Sequence, residues 1–215
     1  MPTPRARSRL LAVLAIFLGA PICAEYLQAY LTTTGDLAGM VIGLLFLAPL
    51  YGGAALLIRD LAIRTGRGWT GVLVLAAAFG LAMTGMIDLS MFGQHRSDVT
   101  YWDQLRQPTT IAGFGLSVFP TISWVLGHVM MSVGTPLALH HALAPTHRDR
   151  PLLGPVATVV VALLWLADAL FVHVDGRTIY GYELSAPQAI GVLAGVVLLV
   201  ILALSPVGRP VPHQG

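Results

Sequence analysis

The sequence predicts an all-α integral membrane protein, with six transmembrane helices in one bundle. Hydrophobic residues make up 56% of its 215 residues and charged residues only 10%, whereas a soluble domain carries about a quarter charged residues. Six apolar runs also reach the length of about 20 residues that crosses a bilayer as a helix. The net charge of +2 comes from arginines clustered between these runs, which indicates a topological role and not nucleic-acid binding.

The six apolar runs follow one another with short connections, except for the polar stretch 93–110. We predict helices over residues 10–31, 37–58, 69–91, 116–142, 153–174 and 188–205. Pro120 and Pro136 predict a trimmed or kinked fourth helix. The sequence leaves open whether residues 111–119 form a seventh short segment.

The arginines predict which way the helices point. Three of them, Arg96, Arg106 and Arg177, flank one side, and nine flank the other: Arg5, Arg7, Arg9, Arg59, Arg64, Arg67, Arg148, Arg150 and Arg209. Basic loops stay in the cytoplasm, so we predict a bacterial cytoplasmic membrane protein with both termini inside. Residues 1–9 and 206–215 are then cytoplasmic segments around one transmembrane domain, 10–205.

The first apolar run has an alternative interpretation as a cleaved signal peptide, because a basic start precedes it and Ala24 is small. Ile22 is too bulky for the small-residue cleavage site, so we predict a retained first helix. Cys23 is the single cysteine of the chain, which excludes an internal disulfide and a cysteine-based metal site.

Three acidic residues lie in the apolar runs, in the half opposite the arginine-rich side: Glu25, Asp88 and Asp168. At a rise of 1.5 Å per residue, Glu25 lies about 22 Å along the first helix and Asp168 about 21 Å along the fifth. Trp124 falls at about the same depth, and Asp88 slightly further out. Acids inside a bilayer are costly and mark function by default, so the shared depth predicts a pocket.

Local spacing adds partners to these acids. Trp165 precedes Asp168 by three residues, Trp124 precedes His128 by four, and the first helix carries Pro21, Glu25 and Gln28 on one face. The outer loop contributes Asp98, Tyr101, Trp102 and Asp103, as a cap over the pocket or as a solvated loop. Each group also has a structural interpretation, as a hydrogen-bonded carboxyl or a space-filling aromatic ring. Asp60, four residues before Arg64, is interpreted as half of a surface ion pair.

A carboxyl group in an apolar pocket keeps its proton, because desolvation penalises the charged form. Such a group can act as a general acid, and neighbouring aromatic faces stabilise a cation by about 0.5–2 kcal/mol each. This combination fits the protonation of an alkene or epoxide in a lipophilic substrate. It requires no metal and no cofactor.

The stretch YGGAALLIRDLAIRTGRGW, which runs from Tyr51 to Trp69, accompanies the small size, the helix count and the buried acids. Together these features resemble the small bacterial integral-membrane terpene cyclases, which cyclise a prenyl chain on an indole alkaloid, as in drimentine-type pathways. The resemblance implies metal-independent, proton-initiated cyclisation of a lipophilic prenylated small molecule. The chain has no DDxxD motif of the kind that holds magnesium in diphosphate-ionising enzymes.

The cyclase hypothesis assigns roles to the candidate residues. Asp168 is the general acid, and Glu25 or Asp88 orients it or takes the final proton. The substrate-binding candidates are Trp124, Trp165, Tyr26, His128, Trp102 and Phe92. The partners are the lipid bilayer and the substrate, with no nucleic acid, and a homo-oligomer is left open.

Two other classes stay open. The segment 78–92 and the later His128 are similar to CAAX-protease-like membrane proteins, but the chain has no Glu-Glu pair, and Thr84-Gly85 stands about where that pair is expected. This argues against a metalloprotease and leaves a relative without metal. The second class is non-enzymatic: a proton-coupled carrier, an immunity protein or a membrane scaffold. A carrier requires polar groups that lead to both faces, whereas the buried acids here gather in one half.

Overall fold

The computed structural model of the chain describes residues 4–27, 35–96 and 99–210, and the side chains from residue 7 onward. Gln28 and Asp98 lie outside these residues. The described part contains six helices long and apolar enough to cross a membrane, which confirms the predicted all-α membrane bundle. They are α1 (Arg7–Tyr26, beginning at Pro4), α2 (Leu37–Arg64), α3 (Trp69–Ile87), α4 (Val118–Leu143), α5 (Pro155–Tyr180) and α6 (Ala186–Leu204).

Each of the first four helices contains a wider π-helical segment. These segments are Ile22–Tyr26 in α1, Ala48–Gly52 in α2, Met83–Ile87 in α3 and His128–Gly134 in α4. In α1 the segment follows Pro21. Proline has no backbone N–H, so it cannot donate the regular helical hydrogen bond. π-helical turns are rare and are found frequently at functional sites. A functional site is therefore expected where these segments lie.

The loop between α3 and α4 carries the small remainder of the regular structure. A short helix, Trp102–Arg106, and a 3-10 turn, Gln107–Thr109, lead into two antiparallel strands, β1 (Thr110–Ile111) and β2 (Leu116–Ser117). Residues 111–119 therefore form a hairpin and the start of α4, so the alternative of a seventh transmembrane segment is wrong. The reversal is made by Gly113 and Gly115, which have φ of 86° and 67°, a region that favours glycine.

A buried arginine holds this hairpin against the end of α3. The guanidinium of Arg106 donates hydrogen bonds to the carbonyl oxygens of Ser90 (2.7 Å), Met91 (3.2 Å) and Gly115 (3.1 Å). Burial lowers the pKa of Arg106, because desolvation penalises the charged form. The three carbonyls replace the water that the guanidinium loses, and they fix the loop over the bundle.

The opposite end of the bundle, which we call the arginine-rich end, is organised by Asp60. This residue is only 2% exposed. Its carboxylate accepts hydrogen bonds from the backbone amides of Leu152 (2.9 Å) and Leu153 (2.7 Å) and from Arg59 Nη1 (3.0 Å). Arg64 lies at 3.9 Å. The predicted Asp60–Arg64 ion pair is present, but its location at the surface was predicted wrongly for Asp60, because the loop between α4 and α5 folds over the end of α2.

Arg59 completes the connection between α2 and that loop. It donates hydrogen bonds to the backbone carbonyls of His147 and of Arg150, the second at 3.1 Å. α5 and α6 expose most of their side chains, and on α5 the buried positions Asp168, Ala169, Gly176 and Tyr180 form one stripe toward the bundle. The outer face of α5 is therefore available to lipid.

Candidate functional site

The centre of the site is a hydrogen bond between two helices at their π-helical segments. The hydroxyl of Tyr51 on α2 donates to Oε1 of Glu25 on α1. Both residues are buried, with exposed fractions of 5% and 8%. A buried carboxyl requires hydrogen-bond partners, and the wider turn at Ala48–Gly52 carries the tyrosine that supplies one.

Tyr51 also connects this carboxyl to α3 and α4. Its ring stacks on the imidazole of His128, with centroids 5.9 Å apart and an interplanar angle of 23°. The edge of Phe79 meets both rings, at 6.4 Å from Tyr51 and 5.5 Å from His128. His128 Nδ1 lies 3.0 Å from the hydroxyl oxygen of Ser132. Four helices therefore converge on one polar and aromatic cluster.

The close approach of α4 to α3 depends on Gly80. A Cβ atom at this position would lie 3.0 Å from the Val125 carbonyl oxygen and 3.1 Å from His128 Cβ. A larger residue at Gly80 would therefore push His128 away from Phe79 and Tyr51.

Asp88 lies just beyond Ile87, at the end of α3 that is opposite the arginine-rich end. Its Oδ1 accepts a hydrogen bond from the Ser90 amide at 2.8 Å. Burial raises its pKa to about 6, the charge of Glu25 raises it further, and Ser90 and Arg96 act in the opposite direction. Glu25 therefore contributes to the electrostatic environment of Asp88.

The chain reverses sharply after Asp88. Leu89 adopts a left-handed conformation with φ of 61°, which is uncommon for a residue with a side chain and costs about 1–2 kcal/mol. The reversal lets the amide of Met91 donate to the Thr84 carbonyl at 2.9 Å. It directs the following loop back over the candidate site.

Asp168 and Trp165 form a second group, where α5 packs on α2. A hydrogen bond joins the Asp168 carboxyl to the backbone of Leu50, and Trp165 packs at Gly53, where an added Cβ would lie 3.5 Å from Trp165 Cβ. Asp168 Oδ2 and Trp165 Nε1 are buried and have no hydrogen-bond partner among the described residues. Unpartnered polar atoms inside a membrane protein are costly, so this pair is suited to a ligand.

The two groups meet at the π-helical segment Ala48–Gly52. Glu25 reaches it through the side chain of Tyr51, and Asp168 through the backbone of the adjacent Leu50. Their predicted equal depth therefore corresponds to a shared contact element. No contact between the two carboxyl groups themselves is described.

Four other candidate residues lie elsewhere. Trp124 stacks on Trp102, with centroids 5.4 Å apart and an interplanar angle of 16°, in an aromatic cluster that also contains Tyr180. Phe92 packs with Met91 and Val192 of α6. Tyr26 donates a hydrogen bond to the carbonyl of Met40 at 2.7 Å.

The Trp102–Trp124–Tyr180 cluster lies at the end of the bundle opposite the arginine-rich end. Arg96 lies 5.6 Å from the ring centroids of Trp102 and Tyr180, and it donates to the Tyr180 hydroxyl at 3.0 Å. Trp102 Nε1 donates to the carbonyl of Gly93 at 3.1 Å. The loop therefore lies over the bundle through specific contacts, in the position that a cap requires.

Sequence reasoning missed Tyr51 and Phe79, which lie at the centre of the site. Both lie inside apolar runs, where an aromatic residue is common and does not indicate a functional site. The signal that was present for Tyr51 is the sequence Pro49-Leu50-Tyr51-Gly52-Gly53. A proline and two glycines in a transmembrane helix indicate an irregular turn.

Thr84 stands near the position at which a CAAX-type protease would carry paired glutamates. It is fully buried, and its hydroxyl donates to the carbonyl of Gly80 in its own helix at 2.9 Å. Among the described residues no group of three or more His, Cys, Asp or Glu side chains is arranged to hold a metal ion.

These features define a polytopic α-helical membrane protein with a polar cluster inside its bundle. A sequence model of an uncharacterized membrane protein family matches residues 10–212, and the chain belongs to that family. No curated protein and no solved structure matches the chain.

Proposed function

We propose that the protein is a membrane-embedded enzyme that protonates and cyclises the prenyl chain of a lipophilic substrate, such as a prenylated indole alkaloid. The observation that supports this proposal is the buried pair of unpartnered atoms, Asp168 Oδ2 and Trp165 Nε1. A carboxyl in such surroundings holds a proton that it can deliver. The indole face beside it stabilises the cation that results.

The proposed reaction is an isomerisation and needs no oxidant or metal. The proton of Asp168 adds to one carbon of an alkene, and the other carbon becomes a carbocation. A second alkene of the same chain attacks this cation and closes a ring. Loss of a proton to a base forms the final double bond, so the product has the same mass as the substrate.

The Glu25–Tyr51 pair is the proposed base. Asp168 reaches the segment Ala48–Gly52 at the backbone of Leu50, and Glu25 reaches it at the hydroxyl of Tyr51. A prenyl substrate held along this segment would therefore have the acid and the base at two points of its own length. The rings of Tyr51 and Phe79 offer further aromatic faces to a cation. The loop that carries Trp102 keeps out the water that would quench it.

A turnover assay tests the proposal. Membranes that contain the protein are incubated with a farnesylated indole-diketopiperazine or an epoxidised polyprenyl-arene, without added metal and with EDTA, and products are separated by chromatography and weighed by mass spectrometry. We expect a new peak of unchanged mass from the wild type and none from Asp168→Asn. Asp175→Asn is the matched control, because Asp175 is exposed on the same helix.

Two results would contradict the proposal. Near-normal turnover by Asp168→Asn would remove Asp168 from the acid role. The absence of product from every prenylated substrate would favour the second candidate.

That second candidate is a proton-coupled carrier. The hydrogen bonds Glu25–Tyr51 and His128–Ser132 are joined by the stacking of the Tyr51 ring on His128, and this series runs from Glu25 toward the arginine-rich end. A carrier needs such a sequence of exchangeable groups. Proton flux into proteoliposomes that is lost in His128→Phe, with no cyclised product, would support the carrier.

A further inference from the structure

A groove of about 510 Å³ runs between α1 and α4. Small side chains form its floor on α1, at Ala12, Ala15 and Gly19, and Leu139 and Leu143 form its α4 wall. Leu139 and Leu143 are 51% and 81% exposed, so the groove opens directly to lipid. Its volume lies within the range of about 300–1,000 Å³ that is typical of small-molecule sites.

The groove has one polar end and one apolar end. At the arginine-rich end it is lined by Ser8 and His147, whose Oγ and Nε2 atoms lie 3.0 Å apart. From there it reaches Cys23, 15 residues further along α1, a helical distance of about 22 Å. One leaflet of the hydrocarbon core is about 15 Å thick, so the groove accommodates one acyl chain with its head at the polar end.

His140 supplies the second observation that points to a ligand. It lines the groove, its exposed fraction is 6%, and its Nε2 is buried with no hydrogen-bond partner among the described residues. A buried polar atom without a partner costs free energy, and a head group that enters the groove would satisfy it.

The charge around the polar end selects an anionic head group. Arg7 and Arg148 are the sequence neighbours of Ser8 and His147, which line this end, and the Arg148 guanidinium also donates to the carbonyl of His141 at 3.0 Å. Asp149 is the only acid in this loop, and Asp60 is engaged with Arg59 and the loop backbone. Basic pockets between transmembrane helices bind the phosphates of anionic lipids.

We propose that this groove binds one acyl chain of an anionic phospholipid, whose phosphate accepts a hydrogen bond from His140 Nε2. The site is separate from the candidate catalytic groups, and the proposal does not depend on the proposed function. Its occupant would lie between α1 and α4 and contact both helices.

Native mass spectrometry of the protein in detergent tests this proposal, with two probes that share the same acyl chains: dioleoyl phosphatidylglycerol, which carries a phosphate, and dioleoylglycerol, which does not. We expect the wild type to retain one phosphatidylglycerol molecule with an affinity about tenfold or more above that for dioleoylglycerol, because a hydrogen bond to a charged group gives a preference of this order. Equal retention of the two lipids would overturn the proposal.

Two glycines give a matched pair of variants. A Cβ at Gly19 or at Gly127 meets no atom within 4 Å, so the side chains of Gly19→Phe and Gly127→Phe both start in open space, but only Gly19 lies in the groove. We expect Gly19→Phe to lose phosphatidylglycerol binding by about tenfold or more and Gly127→Phe to bind as the wild type does. Unchanged binding by Gly19→Phe would overturn the proposal.

The head-group contact is tested separately by His140→Leu. This variant removes the unpartnered nitrogen and keeps an apolar side chain of similar length. We expect it to bind both lipids equally, with phosphatidylglycerol reduced to the level of dioleoylglycerol. Undiminished preference for phosphatidylglycerol in a folded His140→Leu protein would contradict the assigned contact.

Discussion

The hydroxyl of Tyr51 donates a hydrogen bond to the carboxyl of Glu25, and this bond joins α1 and α2 at the point where both are π-helical. The Tyr51 hydroxyl thereby gives the buried Glu25 carboxyl an uncharged hydrogen-bond donor inside the bundle. It also places the phenol ring against His128 and Phe79. One residue of α2 therefore connects the carboxyl of α1 to the aromatic groups of α3 and α4.

Replacement of Tyr51 by phenylalanine removes this donor and keeps the ring. We expect Tyr51→Phe to lower the free energy of unfolding by about 1–3 kcal/mol, because it takes a hydrogen bond from a buried carboxyl. Unfolding of the purified protein in mixed detergent micelles, followed by circular dichroism, measures the change. Tyr101→Phe, at a position that is 60% exposed, is the control and should match the wild type. Equal stability of the two variants would refute the structural importance of the bond.

The helices were predictable because about 20 consecutive apolar residues suffice to identify a span. Their ends were less predictable. The fifth helix was predicted to end at Val174, but α5 continues to Tyr180 and stops at Gly181, which has φ of 54°. Asp175 and Arg177 lower the hydropathy of its last turns without interrupting the helix, since charged residues at a membrane surface are fully compatible with helical structure.

The candidate site was predictable in depth and not in direction. Helical rise placed Glu25 and Asp168 at one level, and both reach the segment Ala48–Gly52. The same calculation placed Trp124 at about the same depth, and in the structure its ring stacks on Trp102. Depth along a helix says nothing about which neighbour a side chain faces. The burial of Asp60 was invisible for a related reason, because the residues that cover it follow 92 and 93 positions later.

Asp60 is expected to be the most sensitive charged residue at the arginine-rich end. Asp60→Asn removes the charge that balances the buried Arg59 and leaves an amide to face the backbone N–H groups of Leu152 and Leu153. We expect a loss of about 3–5 kcal/mol, as for a buried ion pair that loses one partner. Asp149→Asn, at an exposed site in the same loop, should change stability by less than about 0.5 kcal/mol. A small effect of Asp60→Asn in the same unfolding assay would show that the network is not required.

Asp88 makes stability depend on pH. Burial raises its pKa from 3.8 to about 6, so the folded protein holds this proton more tightly than the unfolded chain does. Its contribution to stability is therefore greatest below pH 4 and is lost as the pH rises through 6, by at most about 3 kcal/mol. The stability of the wild type relative to Asp88→Asn should fall between pH 4 and pH 7 and be constant above that range. A difference that stays constant from pH 4 to pH 7 would show that Asp88 titrates normally.

Gly52 and Gly53 are adjacent in α2, yet the structure predicts opposite responses to alanine. A Cβ at Gly52 would collide with the backbone carbonyl of Phe17 on α1, whereas one at Gly53 would meet Trp165 Cβ at 3.5 Å, an ordinary contact. Backbone cannot move aside as a flexible side chain can, so Gly52→Ala must separate α1 from α2, at a cost of about 1–3 kcal/mol or more. Gly53→Ala should be neutral, or more stable by up to about 1 kcal/mol through helix propensity. The two variants differ by one position in the same helix, so a larger loss in Gly53→Ala than in Gly52→Ala would contradict the packing of α1 against the π-helical segment that carries Tyr51.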